Sequence, residues 1–251
     1  MGEEYFEAGP YGRQSRLIIK RNYKILFDHG KIVFPSLFER ELNILDFGCA
    51  LGVGASWLST QVKGTIIGVD ISDYAIQKAK KLFPYGNMLF YKLDLSTERD
   101  TKFLIAKHGY FDAVFSRDTI EHIPKEKHEA IVKNFFHLLI DGGVVLASMA
   151  NGLNPYSYFC DRTHVGLRTP WSYSNLFKEA GFEVVKSFQK QGIPISRMAK
   201  EDERLIEVTI PVFGFVFYIF AKKKMKQQNT KNNKAVEDLS KNNAHSKSPN
   251  S

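Results

Sequence analysis

The sequence predicts an α/β fold, a mostly parallel β-sheet with helices on both faces. Three observations carry this. Short apolar runs alternate with amphipathic helical stretches from residue 43 to residue 148. Runs such as Val144-Val145-Leu146-Ala147 are continuously apolar, as strands covered on both faces are. The first run ends in a glycine-rich turn that leads straight into a helical stretch, as in a βα unit. With 251 residues, 43% hydrophobic and 13% aromatic, the chain suffices for one domain with a large core plus appendages.

Each element follows in order. The segment Tyr5-Phe6-Glu7-Ala8-Gly9-Pro10-Tyr11-Gly12-Arg13 is aromatic with flexible glycines, and reads as a lid or a frayed terminus. Residues 13–29 predict a helix with Leu17, Ile18, Tyr23, Ile25 and Leu26 on its apolar positions. Strands are predicted at 43–47, 65–69, 88–91, 111–115 and 143–148, and helices at 53–62, 73–83, 97–107 and 126–139. This alternation implies right-handed crossovers between parallel strands. Thr169-Pro170 starts a further helix over 171–180, which Gly181 stops. A sixth strand begins at Phe182-Glu183-Val184-Val185, and a last one covers 216–221.

The chemistry concentrates at the ends of the first strands. Ile44-Leu45-Asp46-Phe47-Gly48-Cys49-Ala50-Leu51-Gly52-Val53-Gly54 is a strand, a tight turn and a helix start. Gly48 and Gly52 let the backbone turn sharply and approach a ligand. Gly68-Val69-Asp70-Ile71-Ser72 and Phe90-Tyr91-Lys92-Leu93-Asp94-Leu95 are strands that also end on acids. A carboxylate at Asp46 suits a cationic amino-acid ligand and repels a pyrophosphate, which argues against NAD. Asp70 is placed to accept ribose hydroxyls and Asp94 to accept from an adenine amino group. Together they predict a nucleoside cofactor at the carboxyl ends of parallel strands.

These motifs resemble the class I S-adenosylmethionine-dependent methyltransferases over roughly residues 40–222. The resemblance implies a Rossmann-like class I methyltransferase fold. Its seven-stranded, mostly parallel sheet has an antiparallel last strand inserted beside the fifth, with helices on both faces. The implied divisions are an N-terminal lid and helix (1–39), the methyltransferase domain (40–222) and a disordered basic tail (223–251). S-adenosyl-L-methionine is the implied cofactor, bound by Asp46, Gly48, Cys49, Ala50, Gly52, Asp70, Ile71, Asp94, Leu95 and Arg117. Ile71 and Leu95 would flank the adenine. Ala50 stands where the family pattern has glycine, which implies a slightly tighter turn.

The acceptor half is read from two loops. After the fourth strand comes Ser116-Arg117-Asp118-Thr119-Ile120-Glu121-His122-Ile123-Pro124. It lacks the Asn/Asp/Ser-Pro-Pro-aromatic motif of base N-methyltransferases, and resembles small-molecule and saccharide O-methyltransferases. Glu121 and His122 are candidate catalytic residues. A resemblance to ubiquinone-biosynthesis O-methyltransferases implies a divalent metal on Asp118, Glu121 and His122, against the alternative that Glu121 and His122 orient the loop; a metal is not favoured. Asp161-Arg162-Thr163-His164-Val165-Gly166-Leu167-Arg168 resembles a segment of bacterial surface-glycan methyltransferases. His164 is the candidate general base, because imidazole titrates near neutral pH; the alternative is a structural bond to a backbone carbonyl or a helix cap. Arg162, Arg168 and Tyr11 are the candidate acceptor contacts.

The expected activity is methyl transfer to a hydroxyl or carboxyl oxygen of a small-molecule or glycan substrate. Alternatives are a quinone or lipid acceptor at the membrane surface, an RNA methyltransferase, or a non-catalytic cofactor-binding module. The net charge of +8 tempts one toward nucleic acid, but residues 222–251 hold eight lysines against two acids, leaving the body at +2. Nucleic acid is therefore an unlikely partner. The stretch 208–221 is nearly all apolar and is followed by Lys222-Lys223-Lys224-Met225-Lys226. It is shorter than the roughly 20 residues of a spanning helix. It reads as a buried strand with its entry loop, or as a weak membrane-surface contact through 208–226. Two cysteines, Cys49 and Cys160, and no apolar leader predict a cytoplasmic protein, with peripheral membrane attachment as the variant.

Overall fold

The computed structural model describes residues 2–224, apart from 10, 13, 15, 85, 191–192, 199–205 and 211–213. Pro10, Arg13, Pro211 and the expected tail from residue 225 lie outside the described residues. In chain order the elements are α1 (Glu3–Glu7), α2 (Arg16–Val33), a 3₁₀ turn (Pro35–Glu39), β1 (Leu42–Phe47), α3 (Val53–Leu58) and β2 (Gly64–Asp70). There follow α4 (Asp73–Leu82), β3 (Met88–Lys92), α5 (Glu98–His108), β4 (Phe111–Arg117), a 3₁₀ turn (Ile120–His122), α6 (Lys125–Leu138) and β5 (Leu139–Ala150). The chain closes with α7 (Tyr156–Phe159), α8 (Pro170–Glu179), β6 (Phe182–Lys190), β7 (Ile193–Met198), β8 (Ile206–Ile210) and β9 (Val216–Lys223).

Seven strands form one sheet in the order β3-β2-β1-β4-β5-β9-β6. β9 pairs antiparallel with both β5 and β6, and the other pairings are parallel. The expected insertion of the last strand is therefore present. Strand order reverses between β1 and β4, which opens a crevice at their carboxyl ends. β7 and β8 form a separate two-stranded sheet that the sequence reading did not foresee.

The two faces are built by alternation along each strand. Leu45, Val114, Val145, Ala147 and Ile219 point to one side, against α5, α6 and α8. Ile44, Phe115, Val144, Leu146 and Phe220 point to the other, against α2, α3 and α4. Hydroxyls start three of these helices. Ser72, Thr97 and Thr169 accept from the backbone N–H of Ala75, Asp100 and Ser172.

Several expected bounds shift for physical reasons. α3 stops at Leu58 because the Ser59 and Thr60 hydroxyls donate back to the carbonyls of Ser56 and Trp57. α2 runs on through Gly30, where a Cβ would stand 2.1 Å from Leu146 Cδ2; the missing side chain lets the helix lie close on the sheet. α2 thereby packs into the main core through Tyr23, Leu26 and Phe27. The apolar stretch at 208–221 divides between β8 and β9. Phe217 to Ala221 are buried inside the sheet and are not available to a membrane surface. No helix among the described residues is long and apolar enough to cross a membrane.

Candidate active site

A cavity of about 530 Å³ opens at the carboxyl ends of β1, β2, β3, β4 and β5, within the range of small-molecule sites. The turn after β1 forms its floor. Gly48 has φ +73°, and a Cβ there would stand 2.2 Å from Thr119 Oγ1, so only glycine fits. Ala50 also adopts a left-handed conformation, φ +49°, which alanine tolerates at a cost. Its N–H donates to Asp70 Oδ2 (3.0 Å), and the Ser72 N–H donates to Asp70 Oδ1 (2.8 Å). Burial pushes the Asp70 carboxyl above its ordinary range, against these two bonds. The carboxyl is thus fixed at the cavity wall with further lone pairs for a diol.

Gly48, Ala50, Asp70, Ile71, Asp94, Leu95 and Arg117 line the cavity, as expected of a cofactor wall. Asp94 accepts from the Ser96 N–H and hydroxyl and pairs with Lys127 at 3.3 Å. Burial pushes its carboxyl up, but these partners outweigh it and hold it below the usual range. Arg117 is nearly enclosed; it pairs with Asp118 Oδ2 (2.7 Å) and reaches Gln14 (3.3 Å), while its buried Nε has no partner among the described residues.

Three expected cofactor residues sit off the cavity. Asp46 is fully buried beneath the turn, where Tyr23 donates to its Oδ1 at 2.8 Å. Burial raises its carboxyl to about 7. Asp46 is therefore not part of the cavity wall. Cys49 faces a small crevice behind the turn, where burial pushes its thiol up. Gly52 caps α3 with φ +77° above the Phe90 ring.

At the opposite end of the cavity, ligand atoms of Glu121, His122 and His164 lie within 4.8 Å of one another. Glu121 comes from the 3₁₀ turn after β4. Its Oε1 accepts from the Ala150 N–H at 2.9 Å, and its buried Oε2 has no partner among the described residues. His164 Nδ1 lies 2.6 Å from the Ser157 carbonyl, so that nitrogen carries the proton and donates. Thr163 donates its hydroxyl to Asp161 Oδ1 at 2.6 Å, so its oxygen is free to accept from His122 Nδ1 at 2.8 Å. In both rings Nδ1 is thus engaged, which leaves Nε2 for another partner. Burial, and Asp118 next, pushes the Glu121 carboxyl up. Burial, and His164 next, pushes His122 down. The bond to a backbone carbonyl weighed for His164 is present, and the residue also lines the cavity.

Three expectations need correction. Arg168 is spent elsewhere, donating to His128 Nδ1 (2.9 Å), the Ser172 hydroxyl (3.2 Å) and the Lys125 carbonyl (3.1 Å). Arg162 is exposed and off the cavity wall. Asp118 is not grouped with Glu121 and His122, because Ser148 and Arg117 occupy its two oxygens; His164 takes that place. Tyr11 does line the cavity, together with Tyr5 and Phe6 of α1. Phe6 is 3% exposed and packs on Ala50 and Ala75, and Glu7 is tied to Tyr74 and Lys78 of α4. The N-terminal segment is thus docked on α4 and on the turn after β1. Asp161, Lys127 and Phe215 also line the wall; Asp161 opens the loop motif quoted from the sequence without having been assigned a role, and no local pattern marked Lys127 or Phe215, which reach the wall from other parts of the chain.

Residues 18–187 match a family model described as a methyltransferase domain. Phosphoethanolamine N-methyltransferase 1 of Arabidopsis thaliana is 27% identical over 183 residues, which are 65% of this chain and 35% of that protein. The Triticum aestivum protein of the same name is 26% identical over 152 residues, 57% of this chain and 28% of that one. The matched segments therefore span about a third of these relatives. Among solved structures, a SAM dependent methyltransferase from Archaeoglobus fulgidus superposes with a TM-score of 0.64 at 21% identity, covering 88% of this chain and all of the other. Magnesium protoporphyrin IX methyltransferase from Synechocystis PCC 6803, with bound SAH, gives 0.56 at 17%, covering 88% and 97%. These likenesses are of fold.

Proposed function

We propose, from the premise that this chain belongs to the methyltransferase-domain family, that it transfers a methyl group from S-adenosylmethionine to a hydroxyl of a small polar acceptor. The cofactor's ribose hydroxyls bind Asp70, its adenine lies between Ile71 and Leu95 with its amino group toward Asp94, and its methionine end turns toward Gly48 and Arg117. The Nε of Arg117, without a partner among the described residues, suits a carboxylate, and a bound ammonium would draw the buried Asp46 carboxyl toward its charged form.

One observation carries the acceptor reading: a carboxyl oxygen of Glu121 and a ring nitrogen each of His122 and His164 lie within 4.8 Å of one another on the cavity wall, and Glu121 Oε2 is buried without a partner among the described residues. Such a corner receives a group that donates hydrogen bonds and assists loss of its proton. It disfavours a carboxylate acceptor, which Asp118 and Asp161 would repel. Methyl transfer is an in-line displacement, so the chain supplies alignment, proton removal and, with the N-terminal segment as a lid, exclusion of water.

A second reading is an amine acceptor. The curated relatives are named for N-methylation of phosphoethanolamine, and the same corner would bind an ammonium. Incubation with isotopically labelled S-adenosylmethionine and matched panels of polyols, phenols and amino alcohols separates the two. Label on oxygen supports the first reading, label on nitrogen the second, and label only on carboxylates overturns both.

A further inference from the structure

We propose that Glu121, His122 and His164 form a binding site for one divalent transition-metal ion. This rests on the reading that the acceptor's nucleophile docks in the same corner. The sequence resemblance placed a metal on Asp118, Glu121 and His122; the geometry instead assembles two imidazoles and one carboxylate, with His164 in place of Asp118.

The donors are prepared for a cation on three counts. Their ligand atoms already lie within 4.8 Å of one another, so small side-chain movements close them on one ion. Glu121 is 1% exposed and its Oε2 is buried without a partner among the described residues, an arrangement that leaves a strong acceptor unused. Each imidazole is held through Nδ1, by the Ser157 carbonyl for His164 and by the Thr163 hydroxyl for His122. Thr163 is in turn anchored on Asp161. Such outer contacts fix the tautomer that presents Nε2 to a metal, and they raise its basicity.

Two nitrogens and one oxygen suit Zn²⁺, Mn²⁺ or Fe²⁺ better than Mg²⁺ or Ca²⁺, which prefer all-oxygen sets. All three donors lie on the cavity wall, so coordination positions remain for a hydroxyl of the acceptor, which a bound ion would orient and acidify. Asp118 and Asp161 add negative charge close by. The Arg117 guanidinium close to Glu121 is paired with Asp118.

The test is metal binding by the untagged full-length protein after chelator treatment, titrated with Zn²⁺ by calorimetry and with Mn²⁺ by loss of the free-ion paramagnetic signal. We expect one equivalent to bind, with affinity weakened about tenfold or more in Glu121→Gln and in His164→Ala, and unchanged in the exposed control His137→Ala. Retained S-adenosylmethionine binding shows that the variants fold. No stoichiometric binding of either ion, or equal binding by Glu121→Gln and wild type, overturns the site. If the stripped protein still methylates a hydroxyl acceptor at the full rate and binds no metal, the metal falls while the acceptor reading stands. If metal binds at these residues but no hydroxyl or amine is ever methylated, the site stands and the acceptor reading falls.

Discussion

At the scale of single residues, the cofactor wall was legible because its determinants are local. Gly48 needs a left-handed backbone and a missing Cβ, and Asp70 sits at a strand end beside two backbone N–H groups. Asp70→Ala should weaken S-adenosylmethionine binding by about 1.5–3 kcal/mol, measured by calorimetry, as for the loss of charged hydrogen bonds. Ala50 carries the left-handed strain that glycine avoids, so Ala50→Gly should raise unfolding stability by about 0.5–1 kcal/mol in denaturant titrations. The sequence position of Asp46 could not show that Tyr23 covers it. Its carboxyl is raised from 3.8 to about 7 by burial, so the folded chain holds a proton that the unfolded chain has released. Stability from this group is complete below about pH 4 and is lost as pH rises toward 7. Without cofactor, Asp46→Asn should therefore gain on wild type by about 2 kcal/mol between pH 5 and pH 8. A stability difference that does not vary with pH would remove Asp46 from this role.

At the scale of elements, strands and helix starts were readable from apolar runs and from Ser72, Thr97 and Thr169, whereas helix ends and close packing were not. Glycines in α2 and α3 are contact points. A Cβ at Gly54 would stand 2.0 Å from the Tyr23 ring, so this glycine lets α2 settle against α3 and brings the Tyr23 hydroxyl to Asp46. Gly54→Ala should cost about 1–3 kcal/mol of stability through overpacking and weaken cofactor binding as the Tyr23–Asp46 bond is lost, both visible in thermal shifts with and without S-adenosylmethionine. The arginines of the loop before α8 show the opposite limit. Arg162, His164 and Arg168 looked equally available in sequence, yet His128 and the Lys125 carbonyl claim Arg168, and only His164 turns to the cavity. Only tertiary packing decides among residues of one short loop.

For the whole molecule, the topology explains why one half of the site was readable and the other was not. The reversal between β1 and β4 places the cofactor wall on consecutive βα units, each with its own local signature. The corner of Glu121, His122 and His164 joins the turn after β4 to a loop some forty residues later, beside the N-terminal segment, and no periodicity links the three. The most direct measurement is transfer of labelled methyl from S-adenosylmethionine into fractionated cell extract by wild type and His164→Ala in parallel, with cofactor affinity determined for both. Label should enter a water-soluble small molecule with wild type. In the variant it should fall by ~10²–10⁴-fold, with cofactor affinity nearly unchanged. Equal transfer by the two proteins, or label confined to the organic phase, would contradict a polar acceptor docked at Glu121, His122 and His164.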